Sequence, residues 1–253
     1  MFYNRTVYQF TAVFLFLVSF KGQNYAQEKL TINASADFVS RYIWRGLNVN
    51  DAPNIQPSLS LSTAGLQAGV WGSYSITQCN STDDNYAFSH EIDTWFSYSK
   101  TFTKSLQITA VVTDYYFPNA GIRVGNFNNC DDPEGPGAHT LEAGLVLSLT
   151  KSIPLTFSGY VNFYNDKGNN TYFQIDCAKT INNITIGFFA GASGGSTVNP
   201  GYYKTDKFNI INLGVKANKK IALTTDFSLP IFINYTINPK TEIAYLIFGI
   251  TIQ

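Results

Sequence analysis

Leu30-Thr31-Ile32-Asn33-Ala34-Ser35-Ala36-Asp37-Phe38 alternates apolar and small polar residues without a break. A strand points successive side chains to opposite faces, so Leu30, Ile32, Ala34, Ala36 and Phe38 share one face. Thr31, Asn33, Ser35 and Asp37 share the other. The same rhythm recurs in segment after segment as far as Ile252, with no amphipathic helix between them. It predicts strands at approximately 30–43, 54–63, 66–76, 89–99, 105–116, 139–150, 154–164, 171–180, 183–192, 207–217, 227–237 and 242–252.

The connections between these strands alternate in length. Those at 44–53, 77–88, 117–138, 165–170, 193–206 and 238–241 are the long set. Those at 64–65, 100–104, 151–153, 181–182 and 218–226 are the short set. An up-and-down barrel places all its short turns at one end and its long loops at the other, whereas a sandwich with crossovers does not. The predicted fold is therefore all-β: a transmembrane antiparallel up-and-down barrel of about 12 strands.

The two faces support that reading. Leu141, Ala143, Leu145, Leu147 and Leu149 form one outward row, and Ile184, Ile186, Phe188 and Ala190 another. A charge facing lipid near the midplane costs about 2–4 kcal/mol, and these rows carry none. Charges fall on the opposite face: Asp37, Arg41, Glu91, Asp93, Glu142, Asp176 and Lys216. These are the predicted pore-lining residues. Acids outnumber bases among them, which favours cations weakly in a hydrated lumen. The alternative is a lumen closed by its own salt bridges, with Arg41 meeting Asp37 or Glu91. Tyr42, Trp44, Tyr74, Tyr98, Tyr115, Tyr116, Phe117, Tyr164 and Tyr235 crowd the strand ends and fit two interfacial girdles. Pro57 and Pro230 fall within strand patterns, where proline marks an end or a bulge.

Composition narrows the classes. Of 253 residues, 45% are hydrophobic, 15% aromatic and only 13% charged, which argues against disorder. The formal charge is zero and no Lys/Arg cluster interleaves with aromatics, so a nucleic-acid partner is not expected. Residues 1–26 read as a secretory signal peptide: Arg5 is the positive region, Thr11 to Phe20 the apolar core, and Ala26 the cleavage point. The apolar run is too short to span a membrane as a helix. Removing it takes Arg5 and Lys21 and no acid, leaving 15 basic against 17 acidic residues. Residues 27–253 then form one barrel domain. Cys79 and Cys130 lie in long polar segments; an oxidising compartment could bridge them or leave two thiols. No paired Cys/His spacing points to zinc, and no cofactor is called for.

Local strings resemble a known family. Ser35 to Gly46, containing Arg41-Tyr42-Ile43-Trp44-Arg45-Gly46, then Gln56-Pro57-Ser58-Leu59 and Gly69-Val70-Trp71-Gly72-Ser73-Tyr74, are similar to the start of TorF-type porins, the Gcw_chp outer-membrane family. Thr113 to Pro118 and Ala244 to Gly249 resemble it further along. The Arg41…Trp44-Arg45-Gly46 cluster is the most specific of these strings. The resemblance implies a bacterial outer-membrane barrel and a porin, with no catalytic or binding residue to carry over. Many outer-membrane barrels end in an aromatic residue that helps assembly; this chain ends Thr251-Ile252-Gln253, with Phe248 the nearest candidate.

The expected role is passive diffusion of small hydrophilic solutes, without chemistry. The expected partners are outer-membrane lipid, those solutes and the barrel-assembly machinery. Two other roles fit the same pattern. One is a structural or surface-binding barrel with a plugged lumen. The other is a lipid hydrolase at the rim, built on His90 or His139 with Glu91 or Glu142 and a nearby serine such as Ser89. No Gly-x-Ser-x-Gly elbow supports the hydrolase, and solvated rim histidines are the plainer expectation. The loop acids Asp83, Asp84, Asp131, Asp132 and Glu134 lack calcium-loop spacing. Loop 117–138 is long, Gly/Pro-rich and acidic, and its expected place is over or in the mouth, constricting it.

Overall fold

A computed structural model describes residues 29–77, 86–150, 154–196, 198 and 202–253. The chain divides into Met1–Leu30 and Thr31–Gln253, and the second unit is the barrel. The expected signal peptide and Cys79 lie outside the described residues. Twelve strands close on themselves. They are β1 (Thr31–Val39), β4 (Asn54–Thr63), β5 (Leu66–Ser75), β6 (His90–Thr103), β7 (Leu106–Tyr116), β8 (His139–Leu149), β9 (Leu155–Tyr164), β10 (Thr171–Ile181), β11 (Ile184–Ser193), β12 (Asn209–Ala222), β13 (Ser228–Asn238) and β14 (Ile243–Ile252). Each pairs antiparallel with its neighbour in the wall, and β1 closes onto β14 through Ala36↔Ile252 to Val39↔Gly249.

The turns explain themselves chemically. Ala64-Gly65 and Asn182-Asn183 both sit at positive φ, the mirror-image geometry that matches strand twist and favours Gly and Asn. Pro57 is neither a strand end nor a bulge. It lies inside β4, where the β4–β5 ladder passes from Ile55↔Tyr74 to Ser58↔Trp71 with its register kept. Pro230 sits near the start of β13, opposite Lys220.

The burial pattern is the reverse of a soluble domain. Phe188 is 61% exposed, and Leu145, Phe157, Phe163, Phe173 and Phe248 are exposed with it on the outer face. The interior is largely polar: Asn54, Ser73, Asn162, Asn212 and Thr236 are buried there. On the outward rows the acids and bases stand only near the two ends. Lys100, Lys179 and Lys219 lie toward the short turns, and Asp114 lies beside the long loops. Between them runs an uncharged belt.

Aromatic rings also lie flat on the inner wall. Trp95, Tyr160, Phe189 and Phe232 each face a cross-strand glycine, respectively Gly69, Gly144, Gly214 and Gly249. A Cβ at any of these glycines would come within 2.5 Å of the opposing ring. The wall is thus padded with rings that need a bare backbone beneath them.

The first strand departs from expectation. The alternation predicts it to Ile43, but it stops at Val39. The chain then leaves the wall at Ser40 and Arg41 and forms a separate two-stranded hairpin, β2 (Tyr42–Trp44) and β3 (Leu47–Asn50).

Candidate functional site in the barrel lumen

The β2–β3 hairpin turns at Arg45-Gly46, both at positive φ (50° and 80°), another mirror-image turn. Its contacts reach wall strands on several sides, so it lies inside the barrel. Tyr42 packs on Trp71 of β5 at 5.5 Å between ring centroids. Trp44 meets Tyr115 of β7 edge-on at 5.9 Å and stacks on Tyr203 at 5.6 Å. Asn238 of β13 donates from Nδ2 to the Gly46 carbonyl at 3.1 Å. A Cβ on Gly46 would fall 1.9 Å from the Ile211 carbonyl oxygen of β12, so the tip fits only as glycine.

Arg45 is the centre of the arrangement. Its Nη1 and Nη2 donate to Oε2 and Oε1 of Glu142 at 2.5 and 2.8 Å, a bidentate pair. Nη1 also donates to the Tyr203 oxygen at 2.5 Å, and the Tyr115 hydroxyl donates to Glu142 Oε1 at 2.9 Å. The guanidinium carbon stands 4.4, 4.3 and 4.6 Å from the ring centroids of Trp44, Tyr160 and Tyr172. Such cation–π contacts contribute about 0.5–2 kcal/mol each. The Glu142 side chain is 2% exposed and that of Arg45 12%. Tyr202 and Tyr203, from the segment between β11 and β12, complete the obstruction with Tyr42. Burial pushes all three phenols above the ordinary tyrosine range, so the rings stand neutral.

Space remains around the hairpin. A cavity of about 280 Å³ on its β9–β13 side is lined by Ser158, Gln174, Asp176, Asn212 and Lys216 as well as Arg45. Another of about 440 Å³ on the β4–β8 side meets Asp93, Thr113 and Glu142 as well as Arg45. A third, of about 330 Å³, has Leu47, Val49, Phe88, Phe117, Tyr202 and Glu91 on its walls.

Six of the seven expected lumen charges sit on inward-facing rows. Asp37 accepts the Thr251 hydroxyl at 2.6 Å across the β1–β14 seam. Glu91 is buried, meets the Tyr42 hydroxyl and neighbours Asp93 on the same face of β6. Asp176 accepts from Gln174 Nε2 at 3.0 Å and shares the smaller cavity with Lys216. Arg41 is the exception. It stands at the hairpin root and pairs at 2.9 Å with the exposed Asp51, not with Asp37 or Glu91. The girdle assignment also fails for Tyr42, Trp44 and Tyr115, which pack in the lumen; Tyr74, Tyr98 and Tyr235 do face outward. Sequence reasoning missed Arg45, Tyr160, Tyr172 and Tyr203 as site residues. The available signal was Arg45-Gly46, a turn pair between Tyr42-Ile43-Trp44 and Leu47-Asn48-Val49.

His139 does not behave as a solvated rim group. His139 is 6% exposed. Its Nδ1 lies 2.8 Å from Asp114, and its Nε2 lies 2.7 Å from the Val124 carbonyl. Phe127 and Tyr116 stack on the two sides of the ring at 4.2 and 5.4 Å. Both nitrogens are engaged, and neither meets a serine hydroxyl. The pairing is with Asp114 on the outward row, while Glu142 faces the lumen. His90 packs against Tyr74 on the outer face, and Glu91 points inward. Loop 117–138 divides: Phe117 lines the third cavity beside Leu47 and Tyr202, and Asn119 donates from Nδ2 to Ser89, whereas Val124 and Phe127 dock on this outer rim. Among the described residues no His/Cys/Asp/Glu group has metal-ligand geometry.

Residues 23–230 match the model of a family described as "Bacterial protein of unknown function (Gcw_chp)". No curated protein matches the chain.

Proposed function

From the premise that the chain belongs to the Gcw_chp family of bacterial proteins, we propose an outer-membrane barrel of the porin kind. Its lumen is held shut at rest by the β2–β3 hairpin, and it passes small hydrophilic solutes when that hairpin yields. The observation that carries this reading is the Arg45–Glu142 pair, which fastens the hairpin tip to the far wall. The membrane half of the reading is supported by the uncharged apolar belt and by the separation of short turns from long loops. The role involves no bond-making step. The N-terminal segment serves export, and the acids Asp37, Glu91, Asp93 and Asp176 against Lys216 bias the open lumen toward cations.

Planar-bilayer recording on refolded protein tests this. The wild type should carry little current. A variant with residues 41–51 replaced by a short Gly/Ser linker should conduct steadily and prefer cations, since Glu142 then lacks its partner. Equal, large currents from both proteins would show that the hairpin closes nothing. Silence from both, with folding verified, would favour a purely structural or surface-binding barrel.

A further inference from the structure

The Arg45 site divides into two parts of different origin. Glu142, Tyr115, Tyr160 and Tyr172 belong to four consecutive wall strands, β8, β7, β9 and β10. The guanidinium comes from the removable hairpin. The wall part is a complete receptor for a planar cation. It offers two carboxylate oxygens to parallel N–H donors, with one oxygen already oriented by the Tyr115 hydroxyl. It also offers two ring faces at 4.3 and 4.6 Å from the bound carbon. The cavities of about 280 and 440 Å³ both reach Arg45 and Tyr160, so the site is approached from two sides of the lumen.

We propose that the wall site formed by Glu142, Tyr115, Tyr160 and Tyr172 binds guanidinium-bearing solutes, with Arg45 occupying it as a tethered stand-in. The inference rests on the reading that the hairpin withdraws. Once it does, a carboxylate walled by rings is left without a counter-charge, which a buried carboxylate tolerates poorly. A solute carrying the same planar fork restores the pair. An ammonium lacks the two parallel donors and fits less well. Because the solute and Arg45 compete for one carboxylate, solute binding favours the open barrel. The tethered Arg45 acts at high effective concentration, so the wild type binds more weakly than a chain without it.

Single-channel recording on the wild type supplies the first test. Guanidinium chloride or L-arginine at millimolar concentration should raise the open fraction, and tetramethylammonium at equal ionic strength should not. Calorimetry on Arg45→Ala should then show guanidinium binding at least about tenfold tighter than tetramethylammonium and tighter than to the wild type. The double variant with Glu142→Gln should lose this preference. If Arg45→Ala does not refold to the heat-modifiable form, Arg45→Lys, which keeps the charge and removes the fork, takes its place. An unchanged wild-type open fraction overturns the proposal, as does equal binding of guanidinium and tetramethylammonium. Either result leaves Arg45–Glu142 as a lock alone. The linker-replaced barrel would still conduct in that case, which separates failure here from failure of the pore reading.

Discussion

Arg41 and Arg45 stand four residues apart in one hairpin, and each meets a carboxylate. Arg41 joins Asp51 with side chains 33% and 58% exposed; Arg45 joins Glu142 at 12% and 2%. The first pair ties the hairpin root to itself in solvent, where such contacts contribute about 0–1 kcal/mol. The second ties the hairpin tip to a strand 97 residues away in the interior. There both charges have lost water, and their worth lies in never being separated. Each pair joins an arginine to a carboxylate; location makes one pair ornamental and the other a fastener.

Arg45→Ala should have the largest effect. Stranding buried Glu142 costs about 3–5 kcal/mol, read as lowered denaturant stability together with raised conductance. The double variant Arg45→Ala/Glu142→Gln should recover part of that stability. A lysine on the far side of the same wall extends the comparison to a third medium. Phe188→Lys, at an outward position in β11, should cost about 2–4 kcal/mol in lipid-vesicle folding titrations if hydrocarbon lies there. No cost would break the membrane reading. Gly46→Ala keeps every charge and moves only the tip, by pushing a Cβ against the Ile211 carbonyl. A loss of about 1–3 kcal/mol with a conductance rise is expected; a silent change would mean that the fastener works without exact seating. Arg41→Ala should shift stability by less than about 1 kcal/mol, with unaltered channel records. A large effect there would erase the contrast between root and tip.

Much of the wall was legible. Alternation alone located all twelve wall strands, because one apolar face repeated across them leaves a single consistent register. It also placed Glu142 and Asp176 inward. The hairpin was not legible for the same reason: Tyr42 and Trp44 continue the alternation of β1, and period two cannot report that the chain has left the wall. Aromatics near a strand end look alike whether they meet headgroups or a lumen. Among the partners of Arg45, Glu142, Tyr160 and Tyr172 meet through the register of consecutive strands, and Tyr203 joins them only because its connecting segment folds into the lumen. The glycine–ring pairs such as Gly144 with Tyr160 likewise need cross-strand register. His139 was misread because its cover, Phe127 and Val124, comes from a loop whose direction no periodicity encodes.

That loop has a practical consequence. Segment 117–138 is pinned by His139 through Val124, by Tyr164 hydrogen-bonding the Phe127 carbonyl, and by Asn165 reaching the Gly137 carbonyl at 2.9 Å. Its apex, Asp131 to Glu134, is left exposed. An epitope grafted between Asp132 and Pro133 would therefore be carried on a ready-made pedestal at the long-loop end of the barrel, away from the Arg45–Glu142 pair.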